Sequence, residues 1–227
     1  MISINEYLLS KKNAKARLHD VIANDDNIEE IVHKAIRDYG TGVDLNFIDT
    51  SAVTKMNSLF DQEDFEGDVS RWDVSNVTTM NYMFNQCQHF NCNLSKWNTE
   101  KVIDMNFMFA NCFEFDGEGI EDWDVSEVYD MRDMFFNCFK LNPDLSKWDL
   151  DKLEDSSRMF KGCKIFEGKG LNKWVTPKLE RMVEMFSDCD NFDVDLSHWH
   201  VKRVTHWSYF AYGTPIYKKR EKWPKFI

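Results

Sequence analysis

Tryptophan recurs along the chain at a nearly constant interval, and the apolar residues around it recur with the same period. Successive intervals alternate between 25 and 26 residues, with the tryptophans at Trp72, Trp97, Trp123, Trp148, Trp174 and Trp199. Five residues after each tryptophan stands Val or Leu, and the pair Met-Phe follows eleven and twelve residues after the first five of them. Apolar positions that keep register over many copies indicate an internal repeat with one shared core.

Two degenerate copies flank the clear ones. Residues 45–60 repeat the pattern with Ile48 in the tryptophan position, and the copy after Trp199 has Phe210 and Ala211 in place of Met-Phe. Terminal repeats diverge because one of their faces has no neighbouring repeat to cover it. The sequence therefore predicts a repeat solenoid of about seven coils over residues 41–212, each coil 25 or 26 residues long.

Each coil combines two local patterns. The stretch D-L-S-x-W is predicted to be a short strand, paired in parallel with the same strand of the next coil at ~4.8 Å. The stretch M-x-x-M-F-x-x-C spaces its apolar residues by three and four, which favours two helical turns or a 3₁₀ segment. An Asx turn is predicted after the strand, at Asp73, Asn98, Asp124 and Asp149.

Two of the coils are one residue longer than the others. Both carry a pair of glycines close to the extra residue, Gly117 with Gly119 and Gly168 with Gly170. Glycine adopts a positive φ without a steric penalty, so we expect a local bulge or turn to absorb the insertion.

The residues outside the repeats are predicted to cap the stack. Residues 1–40 are assigned as a helical N-terminal cap, with a capping box from Ser3 to Glu6 and apolar positions at Leu18, Val21 and Ile22. A further helix is expected to begin at Asp26 and to end at Gly40. Residues 213–227 are assigned as a basic C-terminal cap or tail.

The repeat resembles the BspA-like leucine-rich repeats of bacterial surface proteins and lipoproteins. The resemblance is clearest in residues 65–87, which read FEGDVSRWDVSNVTTMNYMFNQC, and it extends over about 43–212. It implies a leucine-rich-repeat-like α+β solenoid with a binding role and with no catalytic residues. It also implies relatives that are exported adhesins, and similar repeats are encoded by phages and viruses.

Charge is distributed unevenly along the chain. Residues 41–200 carry 31 acids and 15 bases, a net charge of −16, whereas residues 201–227 carry one acid and seven bases, a net charge of +6. An acidic body repels phosphate backbones, so nucleic acid is not the expected partner. Apolar runs are too short to span a membrane. No secretory signal, lipid-attachment cysteine or anchor is recognisable, so a cytoplasmic protein is expected, with a surface location if an upstream signal has been removed.

The cysteines and histidines are the candidate ligands of a metal ion. Five cysteines occupy one repeat position, and a line of thiols does not converge on a point as zinc requires, so a reduced interior column is expected. Those five are Cys87, Cys112, Cys138, Cys163 and Cys189. Cys92 lies outside that position and is expected to be a free surface thiol. His198, His200 and His206 stand at positions that are polar in other copies, so we expect exposed side chains.

The acidic clusters are candidates for calcium or catalytic sites. Asp188, Asp190, Asp193 and Asp195 lie close together but lack the spacing and glycine of an EF-hand loop. No phosphate-binding glycine loop, nucleophile elbow or HExxH motif is present. The sequence therefore predicts no enzyme activity, no cofactor and no metal.

A binding role remains, with a protein as the expected partner. The predicted function is an interaction module that presents an elongated acidic surface, with a phage-encoded protein acting on a host protein as one form of it. An exported adhesin that binds host protein or glycan and a structural component of a virion are the alternatives. A monomer or weak oligomer is expected. The candidate contact residues, called here the pre-tryptophan column, are Arg71, Lys96, Asp122, Lys147, Lys173 and His198.

Overall fold

The computed structural model describes residues 21–226. Regular elements are few, and most of the chain is built from turns. Two strands, β1 and β2, pair in parallel, with Val21 opposite Ile48. The elements are β1 (Val21–Asn24), α1 (Ile28–Tyr39), β2 (Ile48–Ala52) and three 3₁₀ helices, Leu171–Lys173, Pro215–Lys218 and Arg220–Lys222.

The segment before the repeats differs from the helical cap expected there. Val21 and Ile22 lie in strand β1 rather than in a helix, because their backbone pairs with the first repeat through β2. Helix α1 begins after Asn27 and not at Asp26, whose backbone N–H donates to the Asn24 side chain. Its end at Gly40, with φ of 87°, is as predicted. The capping box and Leu18 lie outside the described residues.

Successive repeats pair in parallel at one position, seven residues after the tryptophan. We call this set the bridge column, and its members are Lys55, Thr79, Asp104, Asp130, Asp155, Arg181 and His206. The D-L-S-x-W stretch, predicted to be the strand, is instead a tight turn, apart from one bridge between Asp44 and Asp68. The prediction of parallel pairing placed the contact too early in the repeat, at Asp68–Trp72 where the observed bridge lies at Thr79.

The M-x-x-M-F-x-x-C stretch is not helical. Its backbone N–H groups alternate between a carbonyl three residues back and a carbonyl of the next repeat. Met83, for example, donates to Met80 at 3.2 Å, whereas Phe84 donates to Met108 at 2.8 Å. Positive φ angles of 53–59° recur ten residues after the tryptophan, as at Tyr82 and Glu184. Contacts between repeats therefore replace the local hydrogen bonds that a helix would make.

The core consists of side chains that repeat in columns. Tryptophans of the repeats are 2–4% exposed. Each indole N–H donates to a backbone carbonyl of the preceding repeat at 2.9–3.3 Å. A phenylalanine column stacks at centroid spacings of 5.1–5.8 Å along Phe60, Phe84, Phe109, Phe135, Phe160 and Phe186. A buried indole needs an acceptor, and the preceding repeat supplies it.

Candidate partner-binding surface

Tight turns position the residues of the pre-tryptophan column. In four of the repeats an Asp or Asn side chain accepts the N–H of the serine two residues later, as Asp68 accepts from Ser70 at 2.8 Å. The following tryptophan N–H returns to the carbonyl three residues back, for Trp72 that of Val69 at 3.1 Å. The second turn, predicted at Asp73, Asn98, Asp124 and Asp149, is confirmed in these four repeats by the same kind of bond.

All six residues of the pre-tryptophan column are exposed. The tryptophan that follows each of them is buried, so each such side chain lies beside the core without entering it. The neighbouring positions one residue earlier are in part less exposed. Ser70, Glu121, Ser146 and Ser197 are half-buried, whereas Ser95 and Asn172 are exposed. The pre-tryptophan column is therefore more accessible than the positions one residue earlier.

The pre-tryptophan column is basic, in contrast to the acidic body. Lys147 forms an ion pair with Asp122 of the preceding repeat, and His198 contacts the backbone carbonyl of Asn172. The hydrogen bond from Lys147 to Asp122 raises the pKa of that lysine. Lys96 and Lys173 form no ion pair with any residue in the described range 21–226. These two lysines are thus available to an acidic group of a partner.

A second exposed group lies along the bridge column, and the sequence reasoning missed it. Ile103 and Tyr129 are 38% and 42% exposed, and the Tyr129 N–H donates to the Ile103 carbonyl at 3.0 Å. Close by in the repeat, the half-buried rings of Tyr82 and Phe107 stack at 4.5 Å. A detectable signal existed, since Ile103 and Tyr129 are apolar or aromatic at a position held by Thr or Glu in the other copies.

Acidic side chains surround Tyr129. Burial first, and then the charges of Asp104, Asp130 and Glu154, raise the pKa of its hydroxyl. Burial and the neighbouring Asp130 likewise raise the pKa of Asp104. Arg132 binds Asp130 at 2.6 Å and lies 3.8 Å from Asp155 of the next repeat. The acids around Tyr129 are therefore only partly neutralised by protein cations.

The same repeat register that builds these surfaces identifies the family. A family model described as "Mycoplasma protein of unknown function, DUF285" matches residues 27–136 and residues 114–223. The two matches together cover most of the chain, including helix α1 and the whole bridge column. The chain belongs to the DUF285 family. A search of curated proteins and a search of solved structures each returned no match.

The cysteine column of this DUF285 member lies in the interior, as predicted. Each of its five thiols is buried and donates to a phenylalanine carbonyl of the preceding repeat at 2.9–3.2 Å. Burial raises the pKa of every one of these thiols, so they stay protonated. Cys92 is half-buried rather than a surface thiol, because it packs against the core and contacts Asp68 at 3.5 Å.

The remaining candidate ligands of the DUF285 chain are separated or already engaged. His198, His200 and His206 are exposed, as predicted. Asp193 binds Lys219 and Lys222 of the C-terminal segment, and both hydrogen bonds lower the pKa of that carboxyl. Across residues 21–226, no three His, Cys, Asp or Glu side chains gather as a metal ion would require. No helix in that range is long and apolar enough to cross a bilayer.

Proposed function

We propose that this protein is a non-enzymatic protein-interaction module whose repeats form a continuous BspA-like, leucine-rich-repeat-like solenoid. Its partner would be a protein with a basic contact region. The observation that carries this proposal is the exposed pair Ile103 and Tyr129, set among Asp104, Asp130 and Glu154. Exposed aromatic and aliphatic side chains ringed by charge are typical of interaction sites.

The chemistry of the face formed by Ile103, Tyr129 and the surrounding acids favours a cationic segment of the partner. A lysine or arginine side chain would meet the acids around Tyr129, and its cation could lie against the tyrosine ring. Burial of Ile103 against the partner would add a hydrophobic contribution to the binding free energy, which the surrounding charged side chains do not provide. The face spans neighbouring repeats in parallel register, so an extended partner segment could run along it.

The pre-tryptophan column is the alternative contact surface. Its exposed Lys96 and Lys173 would contact an acidic group, so the two surfaces call for opposite partner chemistry. The proposal includes a cytoplasmic location. All six cysteines are free, and unpaired thiols are typical of a reducing compartment.

Affinity capture with surface variants tests this function. Tagged wild-type protein is incubated with lysate of the native host, beside the double variant Ile103→Ser/Tyr129→Ala and the matched variant Lys96→Ala/Lys173→Ala. We expect the wild type and the lysine variant to retain a specific protein. The amount of this protein retained should fall about tenfold or more with the Ile103→Ser/Tyr129→Ala variant. Added salt should weaken the capture, since charge contributes to it.

Other results would redirect or overturn the proposal. Loss with the lysine variant instead would move the contact to the pre-tryptophan column. Equal retention of every protein by the wild type and both variants would contradict a binding role for either surface. Fractionation of the native host adds an independent readout. Recovery outside the cell supports the adhesin alternative, and recovery in purified virus particles supports the virion alternative.

A further inference from the structure

The two ends of the bridge column are left unpaired in complementary ways. Inside the stack, each repeat donates from the residues eight and ten positions after its tryptophan to carbonyls of the next repeat, as Met182 donates to His206 and Glu184 to Ser208. The last repeat is followed by the C-terminal segment, whose Lys222 carbonyl accepts from the Leu196 N–H at 2.8 Å. The equivalent N–H groups of the last repeat, those of Trp207 and Tyr209, have no acceptor within residues 21–226.

The first repeat carries the matching acceptors. In the pattern of the other repeats, the carbonyls of Lys55 and Asn57 would accept from a preceding repeat, but no donor among the described residues reaches them. Donors at this end are blocked, because the Asp25 carboxylate accepts from the N–H groups of Thr54 and Lys55 at 2.6 and 3.2 Å. Within residues 21–226, one end of the column therefore has carbonyls without a donor and the other has N–H groups without an acceptor.

The residues around the unpaired backbone groups are exposed at both ends. Lys55, Asn57 and Ser58 are exposed at the first repeat, and His206 to Tyr209 are exposed at the last. Trp207 is 37% exposed, whereas Met182, at the same position one repeat earlier, is fully buried. Tyr209 is 63% exposed, at the position where Tyr82 stacks on the next repeat. The Trp207 ring stacks on Phe226 of the C-terminal segment at 4.3 Å, so this segment covers part of the last repeat and leaves the Tyr209 ring exposed.

The charges of the ends are opposite. Residues 21–68 carry twelve acids and three bases, a net charge of −9, while residues 201–227 carry a net charge of +6. Opposite charges attract between molecules, and each end would repel a copy of itself. An edge with unpaired N–H and C=O groups is a template for pairing with another chain.

From these observations we infer that the last repeat of one copy docks on the first repeat of a second copy, head to tail, and extends the bridge column across the junction. In this contact Trp207 and Tyr209 donate to the carbonyls of Lys55 and Asn57 of the second copy. Tyr209 then lies beside Ser58 of that copy. A heterologous contact of this kind leaves one free end on each side, so it permits dimers and longer chains.

Blocking the two ends separately tests the inference. The head variant is Asn57→Lys/Ser58→Lys, and the tail variant is Ser208→Glu/Tyr209→Glu, so each variant opposes the net charge of its own end. Each change places exposed charged side chains at one end without touching a buried side chain. Ser95→Lys, exposed in the middle of the stack, is the matched control. Circular dichroism and unfolding midpoints show that every variant remains folded.

Sedimentation velocity up to about 1 mM protein in low salt gives the readout. We expect the wild type and the control to exceed the 27.0 kDa monomer with rising concentration, and salt to weaken this association. Each end variant alone should stay monomeric. Their mixture should form a one-to-one dimer, since each supplies the end that the other lacks.

Three outcomes would overturn the inference. A wild type that remains monomeric over the whole range leaves no contact to explain. Association of one end variant alone, with the other monomeric, indicates a symmetric contact between like ends. Association of both end variants to the extent of the wild type places the contact on another surface.

Discussion

The tryptophan position and the position immediately before it differ in residue identity and in burial. The tryptophan position holds the same residue six times, is 2–4% exposed and binds a carbonyl of the preceding repeat each time. The position immediately before it holds Arg, Lys, Asp or His, and every one of these side chains is exposed. The two positions share a turn but differ in burial. The tryptophan is buried against the preceding repeat, and the side chain before it stays exposed to solvent.

This difference shows where the repeat constrains its residues. A buried indole must fill a space of fixed size and satisfy its N–H, so few other residues fit. An exposed side chain can change without disturbing the stack, and that freedom lets partner contacts differ along the surface. The comparison predicts that the loss of stability caused by a substitution depends on its position in the repeat rather than on the size of the residue removed.

The largest effect is expected for Trp123→Ala in the middle of the stack. The Trp123 ring stacks on Trp97 at 6.1 Å, and its N–H donates to the Leu94 carbonyl at 3.3 Å. Removing it leaves a cavity and one of the two hydrogen bonds that the Leu94 carbonyl accepts is lost, while the bond from the Trp97 N–H at 3.1 Å remains. We expect a loss of about 3–5 kcal/mol in the free energy of unfolding, mainly from the cavity. Urea unfolding followed by circular dichroism measures this.

The neighbouring position supplies the control. Asp122 precedes Trp123 and is exposed, so Asp122→Ala should leave the urea midpoint unchanged. Comparable losses for the two variants would contradict the division between the positions. Trp123→Phe separates the two contributions, because it retains a ring but removes the N–H.

The second effect concerns the longer repeats, where Gly119→Ala is expected to be costly. Gly119 has a φ of 94°, and an added Cβ would collide with the backbone nitrogens of Ser95 and Leu94 in the preceding repeat. We expect a loss of about 2–4 kcal/mol from strain and backbone displacement, measured by the same unfolding experiment.

Gly42→Ala is the matched control for Gly119→Ala. Its added Cβ would approach nothing closer than the Glu66 carboxylate at 3.6 Å, and its φ lies outside the left-handed region. An unchanged or slightly raised stability is expected. If Gly119→Ala behaved in the same way, the glycine would not be needed to absorb the extra residue.

The sequence allowed the interior to be predicted more fully than the path of the backbone. The periodic tryptophans, the cysteine column and the turns at Asp73 and its equivalents follow from short-range spacing, and the structure confirms their burial or hydrogen bonds. The positive φ of Tyr82 and Phe107 could not be foreseen. Spacing by three and four suits a helix equally well, and only hydrogen bonds to the next repeat decide against it.

The candidate surface was predictable only in part. The sequence shows that the pre-tryptophan column varies between repeats, but the exposure of the column depends on a tight turn where the sequence predicts a strand. Ile103 and Tyr129 were overlooked because an apolar residue within a repeat is first attributed to the core. Their unusual identity at a polar position becomes informative once the bridge column shows which way that position faces.

A third prediction concerns the ion pair between Asp133 and Arg158, in which the carboxylate is buried as the core residues are. Asp133 has a side chain only 3% exposed, and Arg158 of the next repeat binds it at 2.7 Å through two nitrogens. Arg158→Met should leave a buried carboxylate without its partner. Because Arg158 itself is 42% exposed, water can reach part of the site, and we expect a loss of about 1–2 kcal/mol.

A double variant tests the cause of that loss. Adding Asp133→Asn removes the buried charge, so Arg158→Met/Asp133→Asn should recover part of the stability lost by Arg158→Met alone. Strictly additive losses would mean that the two side chains act independently and that the pair does not fix the register of the repeats.

The smallest effect is expected for Lys147→Ala, although Lys147 also pairs with an acid of the preceding repeat. Both Lys147 and Asp122 are about two-thirds exposed or more, so water and salt screen the attraction that raises the pKa of Lys147. We expect no measurable change in the urea midpoint at low or high salt. A raised lysine pKa contributes stability below its unfolded value and loses it as the pH rises through the folded value, so any contribution would disappear only in strong alkali. A clear loss at neutral pH would show that the pre-tryptophan column helps to hold the repeats together, and its variable residues would then be constrained by the stack as the tryptophans are.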